Sequence, residues 1–455
     1  MQDINREVIA VFDIGKTNKK YLLFDARMKL VSQEEVIFKE VLDDDGFPCD
    51  DMVEMRKWFR ECLKRTIAVG RFTIKALNFS AYGATLMYLD DSGNEITPVY
   101  NYLKPMPDEV LDGFYEKYGG VEEFCRITAS PALGMLNSGL QILWLKKCKP
   151  ELFKKAKSVL HFPQYLSYLF TREISSEYTS IGCHTAMWNF DDNCYHQWMR
   201  DEGITLPPPV SNSFAFDTVI EGVQVKTGVG IHDSSASLVP YLMASEKPFI
   251  LVSTGTWCIF MNPFNNEPLT AGQLRRDSLC YMSTRQKQVK SSRLFLGHIH
   301  DQNVERLSAY FSVPSDEYKK VQVDNQLLDI MSEEYSKRIF FCDGVPPGYV
   351  DISVDLSAFG SYAAAYHRLV YDMVDLCMES IQLIIPENDV TEVVYITGGF
   401  ARNKIFVKLF ANRLPGKKVY TSEMDNSSAL GAMMVLYEKA FEEKLPVVDL
   451  GLKEV

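Results

Sequence analysis

The stretch VIAVFDIGKTNKKYLLFD, residues 8–25, reads as a strand, a polar turn and a second strand. Its two apolar runs, Val8–Phe12 and Tyr21–Phe24, are each long enough for a buried strand. Gly15 has no Cβ, so backbone N–H groups can come close to a ligand. Turn amides, hydroxyls and lysines together suit a phosphate, and an acid at a strand end suits a hydrated Mg²⁺ beside it. The candidate residues are Asp13 for the metal and Gly15, Lys16, Thr17, Asn18 and Lys20 for the phosphate.

A second hairpin of the same design, FILVSTGTWCIF, occupies residues 249–260. Its Gly255, followed by Thr256, falls at the place of Gly15 in the first hairpin. Two such turns in two half-chains predict duplicated domains that face one ligand. Either hairpin alone is better explained as an ordinary glycine turn. The pair, together with the acid and lysine of the first hairpin, favours phosphate binding.

Gly15-Lys16-Thr17 resembles the end of a P-loop, but two features exclude that motif. A P-loop needs another glycine five residues earlier, where this chain has Ala10. It also needs a helix after the lysine, whereas Tyr21–Phe24 has the pattern of a strand.

Composition limits the class of protein. With 455 residues, the chain is long enough for two or three domains. A net charge of −12 argues against a nucleic-acid partner and against binding to a membrane surface. The ten cysteines form no C-x-x-C pair, so neither a zinc site nor a disulfide framework is indicated. The first residues, MQDINREVIA, lack the apolar core of a signal peptide, so we expect a reduced, cytoplasmic compartment.

Local patterns place further elements along the first half. A helix is expected from Asp50 or Asp51 to Val69, then a strand over 72–79 and another over 86–89. The loop after the first of these strands makes Tyr82 and Gly83 candidates for substrate contact, although a packed turn explains them equally well. Amphipathic helices are expected over 140–145 and 151–159.

The stretch GIHDSSAS, residues 230–237, places an acid before an apolar helical pattern. Asp233 would lie near a helix N-terminus, where the helix dipole keeps a carboxylate ionised and able to act as a general base. A plain N-cap is the common alternative. Its position just before the second glycine hairpin favours the functional interpretation. His232 is more readily structural than catalytic, because the sequence shows no partner for it.

A third motif lies near the C-terminus. A strand over 392–396 ends in Thr397-Gly398-Gly399-Phe400, and Asn403 precedes a helix over 404–414. A strand, two glycines and a helix form a suitable contact for a nucleotide phosphate or ribose. Small residues over 427–432 open what we expect to be the last helix and would allow a flat ring to approach.

The motifs DIGKTN, GIHDSSAS, STGTW, ITGGFARNK and SSALGAM, in this order, resemble the FGGY carbohydrate kinases of the actin-like ATPase superfamily. Within that family, His232–Ala236, Ser253–Trp257 and Asn137–Leu145 resemble motifs of rhamnulokinase and L-fuculokinase. The resemblance implies an α/β fold of two RNase H-like domains, over 1–240 and 241–455, with ATP in the cleft between them. A homodimer is a working expectation.

The resemblance also implies roles for the motif residues. Asp13 would hold Mg²⁺ through water, and Asp233 would be the general base for a sugar hydroxyl. The β- and γ-phosphates would lie near Thr17, Asn18 and Lys20, with Gly255 and Thr256 on the opposite side. Adenosine would contact Gly398, Gly399 and Asn403. The expected substrate contacts are Tyr82, Gly83, Asn137, His232 and Asp233.

Three positions and one segment depart from the family pattern. Lys16 stands where a small residue or threonine is usual, and Phe400 where a small residue is usual. The segment VYNYLKP, residues 99–105, replaces a stretch that ends in arginine, and Gln164 replaces an acid. The last two lie in the sugar-binding half, so they bear on the substrate more than on the chemistry.

The leading hypothesis is therefore ATP-dependent phosphorylation of a 6-deoxy-ketose such as L-rhamnulose or L-fuculose. A kinase for another sugar or polyol, such as xylulose, gluconate, erythritol or glycerol, shares every nucleotide motif. A non-enzymatic ATP-binding protein of the same fold is a third hypothesis, but it would not need the Asp233 motif.

Overall fold

The structure of the protein is a computed structural model that describes residues 5–334 and 338–455. Strands and helices alternate along the whole chain. The strands of the first half are β1 (Arg6–Ile14), β2 (Lys19–Asp25), β3 (Leu30–Val36), β4 (Val41–Leu42), β5 (Pro48–Cys49), β6 (Phe72–Ala81), β7 (Leu86–Leu89), β8 (Ser158–His161), β9 (Ser176–Glu177), β10 (Trp188–Asn189), β11 (Cys194–Tyr195), β12 (Pro209–Val210), β13 (Ala215–Ile220), β14 (Val223–Gly228) and β15 (Ile231–His232). Its helices are α1 (Met52–Val69), α2 (Phe114–Lys117), α3 (Val121–Ile127), α4 (Ser138–Cys148), α5 (Pro150–Lys155), α6 (Phe162–Thr171), α7 (Tyr178–Ile181), α8 (Gln197–Asp201) and α9 (Asp233–Ala244).

The second half has fewer strands and longer helices. Its strands are β16 (Phe249–Thr254), β17 (Cys258–Asn262), β18 (Ser278–Met282), β19 (Gln288–Leu294), β20 (Val393–Gly398), β21 (Lys418–Ser422) and β22 (Leu452–Glu454). Its helices are α10 (Ala271–Arg275), α11 (Leu296–Phe311), α12 (Asn325–Glu334), α13 (Tyr362–Ile381), α14 (Lys404–Asn412), α15 (Ser427–Met434) and α16 (Tyr437–Phe441).

Each half builds one seven-stranded sheet, and the two sheets repeat one arrangement. In the first sheet, β1 pairs antiparallel with β2 and parallel with β6. In the second sheet, β16 pairs antiparallel with β17 and parallel with β20. Both glycine hairpins therefore occupy the same place in their sheets. The predicted α/β fold is confirmed.

The central strand β1 is covered on both faces, which explains its continuous apolar run. Residues Val8–Phe12 are fully buried. On one face, the Phe12 ring packs on Phe59 of α1 with ring centroids 4.5 Å apart. On the other face, Val11 shares an apolar cluster with Val239 of α9 and Leu251 of β16. This cluster joins the two sheets through α9 and its neighbour α15.

Helices α9 and α15 pack closely against each other. Gly431 of α15 lies so near the Ala236 carbonyl of α9 that a Cβ would be 1.9 Å from its oxygen. The small residues over 427–432 thus permit helix packing, and the expected access for a flat ring is wrong for Gly431. The boundary expected at 240/241 stays a prediction; α9 continues across it to Ala244.

Most local expectations agree with the structure. The Asp51 carboxylate caps α1 by accepting from the Val53 and Glu54 amides, and Gly70 ends the helix. The helix expected over 151–159 is wrong at its end, because α5 stops at Lys155 and Ser158–His161 forms β8 against β7. The helix opened by Ser427 is not the last one, since α16 and β22 follow it.

Two further observations concern the cysteines and the lengths of the helices. All ten cysteines are free thiols. Among the helices of the described residues, none is both long and apolar enough to cross a lipid bilayer.

Candidate active site

Three parallel strands bring the predicted acids to one edge of the first sheet. Ser80 of β6 pairs with Asp13 of β1 on one side and with Ile231 of β15 on the other. The carboxyl ends of parallel strands meet at a common edge, where α/β proteins bind ligands. Asp13, the loop after β6 and Asp233 are therefore neighbours, although more than two hundred positions separate the two acids.

Asp13 is held by a hydroxyl group from the second half of the chain. Its Oδ2 accepts a hydrogen bond from Ser428 Oγ at 2.9 Å. Burial raises the pKa of Asp13 to about 6. The Ser428 and Ser80 hydroxyls lower this pKa but do not outweigh the effect of burial. The charge of the nearby Asp233 raises this pKa further. A carboxylate with hydroxyls around it offers only oxygen atoms, the donor set that Mg²⁺ prefers.

The first glycine turn presents its tip to solvent. The Gly15 amide donates to the Asn18 carbonyl at 3.0 Å and closes the turn. Thr17 and Asn18 are exposed at the tip. Lys20 lies opposite Asp13 in the hairpin, and its Nζ donates to Asn426 Oδ1 at 2.9 Å.

Lys16 points elsewhere. Its Nζ lies 3.0 Å from Glu40 Oε1 and 3.1 Å from Asp50 Oδ2. The ammonium group is thus turned toward two carboxylates of its own half of the chain. Asp50 also accepts from Tyr82 Oη at 2.6 Å.

Asp233 is the first residue of α9, as expected. Its Oδ1 accepts from the Ser234 amide at 2.6 Å, and a third of its side chain is exposed. Burial raises the pKa of Asp233 to about 6, and the bonds from Ser234 lower it. A partly exposed carboxylate with this pKa is ionised at neutral pH and can accept a proton from a bound hydroxyl.

His232 has partners that the sequence could not reveal. Its Nε2 lies 3.0 Å from Cys183 Sγ and 3.4 Å from Asp233 Oδ1. Burial lowers the pKa of His232 to about 4, so the ring is neutral at physiological pH. A Cβ at Gly83 would lie 2.9 Å from the His232 ring, so the loop after β6 packs directly on this histidine.

The second glycine turn is joined to the third motif. Gly255 closes the turn by donating to the Trp257 carbonyl at 2.9 Å, and Gly255 and Thr256 are exposed. The Phe400 amide donates to Thr254 Oγ1 at 3.0 Å. The Gly398-Gly399 segment therefore lies directly beside the second turn.

A cavity of about 510 Å³ opens next to this segment. Its volume is within the range of small-molecule sites. The Asn403 side chain caps α14 and donates to Tyr366 Oη at 2.8 Å, so it is held firmly at the cavity wall. The sequence missed the opposite wall, which falls in a stretch without clear periodicity. The lining residues are Tyr318, Lys319, Val321, Gln322, Val323, Gly399, Arg402, Asn403 and Lys404.

Asn137 and Gln164 are fully buried and hold the backbone. Asn137 Nδ2 donates to the His184 carbonyl at 3.0 Å, and its Oδ1 accepts from the Leu133 amide. Gln164 Nε2 donates to the carbonyls of Val229 and Gly230, just before β15. An acid at 164 could not donate to these carbonyls unless protonated, so the amide is suited to this backbone.

In the segment 99–105, the lysine and a tyrosine face different surroundings. Lys104 is buried, and its Nζ pairs with Asp43 Oδ2 at 2.6 Å. Tyr102 instead lies against Tyr82, with ring centroids 6.1 Å apart. Tyr102 is therefore the member of this segment that reaches the neighbourhood of the site.

Comparison with known proteins identifies the first half. Residues 8–229 match the N-terminal domain of the FGGY family of carbohydrate kinases. The resemblance inferred from the motifs is confirmed, and the matched region contains Asp13, the first glycine turn and Tyr82.

Individual proteins extend this result. The chain is 24% identical over 258 residues to a rhamnulokinase of Halalkalibacterium halodurans, covering 54% of each protein. It is 21% identical over 272 residues to an L-fuculokinase of Escherichia coli, covering 57% of each. The alignments thus span little more than half the length of these curated relatives.

A solved structure shows the fold beyond the FGGY domain. The ligand-bound xylulose kinase from Lactobacillus acidophilus superposes with a TM-score of 0.75 at 16% identity. The superposition covers 99% of this chain and 93% of that one. The fold of that structure therefore extends over both halves of this chain.

Proposed function

We propose that the protein is an ATP-dependent sugar kinase that transfers the γ-phosphate to a hydroxyl of a ketose. The observation that carries this proposal is the position of Asp13 and Asp233 at one sheet edge, where the charge of Asp233 raises the pKa of Asp13. Phosphoryl transfer requires mainly positioning and charge neutralisation, with one group to accept the hydroxyl proton. The two acids divide these tasks.

Asp233 is the general base. It stands at the N-terminus of α9, is reachable from solvent and is ionised at neutral pH. Because the Ser234 amide fixes one carboxylate oxygen, the other is free to approach the acceptor hydroxyl. A well-placed base contributes about 10²–10⁴-fold to turnover.

Asp13 would hold Mg²⁺ together with its water ligands, because the surrounding donors are all oxygens. The bound ion would neutralise charge on the phosphate oxygens. Thr17 and Asn18 of the first turn and Gly255 and Thr256 of the second are exposed, and Lys20 adds a positive charge beside the first turn. The adenosine would occupy the cavity lined by Gly399 and Asn403.

The proposed acceptor is a 6-deoxy-ketose, L-rhamnulose or L-fuculose. The motif resemblance around Asp233 and Asn137 supports it, as do the curated relatives named rhamnulokinase and L-fuculokinase. A second candidate is a fully hydroxylated sugar or polyol such as xylulose, gluconate, erythritol or glycerol. The charged pair Lys16 and Glu40 beside Tyr82 favours it, because charged groups suit hydroxyls better than a methyl group.

A panel of ketoses, aldoses and polyols, assayed for ADP release with ATP and Mg²⁺, tests the proposal. We expect strong stimulation of ADP release by one acceptor and little without it. Stimulation by a sugar outside the deoxy-ketoses would keep the reaction and replace the acceptor. Bound ATP without stimulation by any acceptor would contradict the kinase function.

A further inference from the structure

Lys16 belongs to the first glycine turn, but its side chain does not follow the turn amides. Its Nζ is fixed between Glu40 Oε1 and Asp50 Oδ2, at 3.0 and 3.1 Å. About a quarter of the lysine side chain and nearly half of the Glu40 side chain are exposed. A fixed donor and a fixed acceptor thus stand side by side at the surface.

The negative charge of Asp50 is already balanced by a buried lysine, Lys19. Asp50 and Lys19 are almost completely buried, and Lys19 Nζ lies 3.0 Å from Asp50 Oδ1. Lys19 Nζ also donates to the Lys16 carbonyl at 2.7 Å, which anchors the turn. The turn is therefore stabilised without the Lys16 ammonium, which leaves the Lys16–Glu40 pair available for a ligand.

Such a pair matches a sugar hydroxyl. A hydroxyl group donates one hydrogen bond and accepts others, so it can accept from an ammonium and donate to a carboxylate. Bonds to charged partners are about twice as strong as neutral ones. Neither partner would have to be desolvated fully, because both remain partly exposed.

Two tyrosines connect this pair with Asp233. Tyr82 donates to Asp50, and the adjacent Gly83 packs on His232, the neighbour of Asp233. Tyr102 lies edge-on to Tyr82. Burial raises the pKa of Tyr102, the charge of Lys16 lowers it and the carboxylate of Asp233 raises it. Tyr102 thus lies within electrostatic reach of both groups.

There is also space beside Tyr102. A cavity of about 620 Å³ begins at this residue and extends between the segments 102–108 and 132–136. Its volume falls within the range that small-molecule ligands occupy. Tyr102 thus borders open space, and the Lys16 Nζ lies 6.0 Å from the ring centroid of its neighbour Tyr82.

We propose that Lys16 and Glu40 bind a hydroxyl of the acceptor other than the one that Asp233 deprotonates, and so determine which sugars are accepted. This inference rests on the proposed sugar-kinase function. The backbone of Lys16 lies in the first glycine turn, and that position alone would suggest a contact with the phosphates. The inference assigns its side chain to the sugar instead.

Lys16→Met keeps the length of the side chain and removes its charge. We expect the KM for the acceptor to rise about tenfold or more, the size of effect lost with one charge-assisted bond. The KM for MgATP should stay within about twofold. Glu40→Gln should act in the same direction, and it is the second variant if Lys16→Met folds poorly. Lys75→Met, which removes an ion-paired lysine of β6, is the matched control.

A substrate series sharpens the test. Analogues of the acceptor that each lack one hydroxyl are compared on the wild type and on Lys16→Met. We expect the loss of one particular hydroxyl to raise the acceptor KM of the wild type strongly and that of Lys16→Met hardly at all. The reason is that the variant already lacks the side chain that binds this hydroxyl. A higher KM for MgATP with an unchanged acceptor KM would assign Lys16 to the phosphates. Unchanged KM values with lower thermal stability would make the pair structural, and either result overturns the inference.

Failure of the kinase function is recognised separately. If the wild type releases no ADP with any acceptor, calorimetric titration of the same sugars measures binding directly. Weaker binding to Lys16→Met than to the wild type would still support the inference. Equal binding, or no binding to the wild type, would overturn it.

Discussion

Ser428 Oγ donates a hydrogen bond to Asp13 Oδ2 at 2.9 Å, although 415 positions separate the two residues. Helix α15 thus reaches the edge of the first sheet where Asp13 lies, the proposed metal site. The bond lowers the pKa of a carboxyl that burial raises, and so favours the charged form. Both halves of the chain are therefore needed to build this edge.

Replacing Ser428 by alanine should weaken Mg²⁺ binding. Without the hydroxyl, Asp13 loses a bond to its charged form, and a bond of that kind contributes about 1.5–3 kcal/mol. We expect the Mg²⁺ concentration for half-maximal activity to rise about tenfold. Ser427→Ala, one residue earlier on α15, is the control. Equal Mg²⁺ dependence in both variants would show that the Ser428 bond does not support metal binding at Asp13.

Asp233→Asn should abolish most turnover but leave nucleotide binding intact. The amide cannot accept the hydroxyl proton, so we expect kcat to fall by about 10²–10⁴-fold. Titration with a fluorescent ATP analogue should give nearly the same Kd for both proteins. The surface variant Asp217→Asn provides the comparison, since three quarters of the Asp217 side chain is exposed. Near-normal turnover would show that Asp233 is not the base.

Activity should depend on pH in the range set by Asp233. Burial raises its pKa to about 6, and only the ionised carboxylate can act as a base. We expect kcat/KM to level off above about pH 7 and to fall steeply below pH 6. The charge of Asp233 also raises the pKa of Asp13, so ionisation of Asp233 affects the protonation of Asp13. A flat profile between pH 5 and pH 8 would rule out both assignments.

The raised pKa of Asp233 lowers the stability of the folded protein over the same pH range in which activity rises. The folded protein binds a proton at Asp233 up to about pH 6, whereas the unfolded chain releases it near about pH 4. The free energy of unfolding therefore decreases as the pH rises through that window. Asp233→Asn should be more stable than the wild type at pH 7, and the difference should vanish near pH 4. Urea unfolding at both values measures it.

Much of the site could be predicted from local sequence. Val8–Phe12 and Phe249–Thr254 are continuous apolar runs followed by glycine turns, and each forms a central buried strand. Asp233 precedes small residues and an apolar pattern, and it begins α9 as expected. In these stretches local pattern and global fold agree.

The missed parts depend on contacts between distant segments. Ser428 reaches Asp13 only because α15 packs between the sheets, and no spacing rule predicts that contact. Tyr318–Val323 shows no helical or alternating period, so its place in the cavity wall was not visible. The end of the helix expected over 151–159 failed because pairing with β7 outweighs helix propensity at Ser158–His161.

Gln164→Glu should destabilise the protein. The buried amide donates to the carbonyls of Val229 and Gly230, and a carboxylate there would face two acceptors. We expect a loss of about 1–3 kcal/mol or more in the free energy of unfolding at pH 8. The loss should shrink on acidification, because a protonated glutamic acid can donate again. The same loss at both pH values would contradict this explanation.

Gly398→Ala should move the wall of the proposed nucleotide cavity away from the second glycine turn. Gly398 has φ of +86°, and a Cβ there would lie 1.8 Å from the Thr254 carbonyl oxygen. The alanine can fit only if the backbone of the third motif moves away, which breaks the bond from the Phe400 amide to Thr254 Oγ1. We expect the affinity for ATP to fall at least tenfold, measured by calorimetry, while the acceptor still binds. Gly360→Ala, at a site with no atom within 4 Å of the new Cβ, is the control. Unchanged ATP affinity in Gly398→Ala would place the nucleotide elsewhere, because no alanine can be accommodated at this position without displacing the proposed cavity wall.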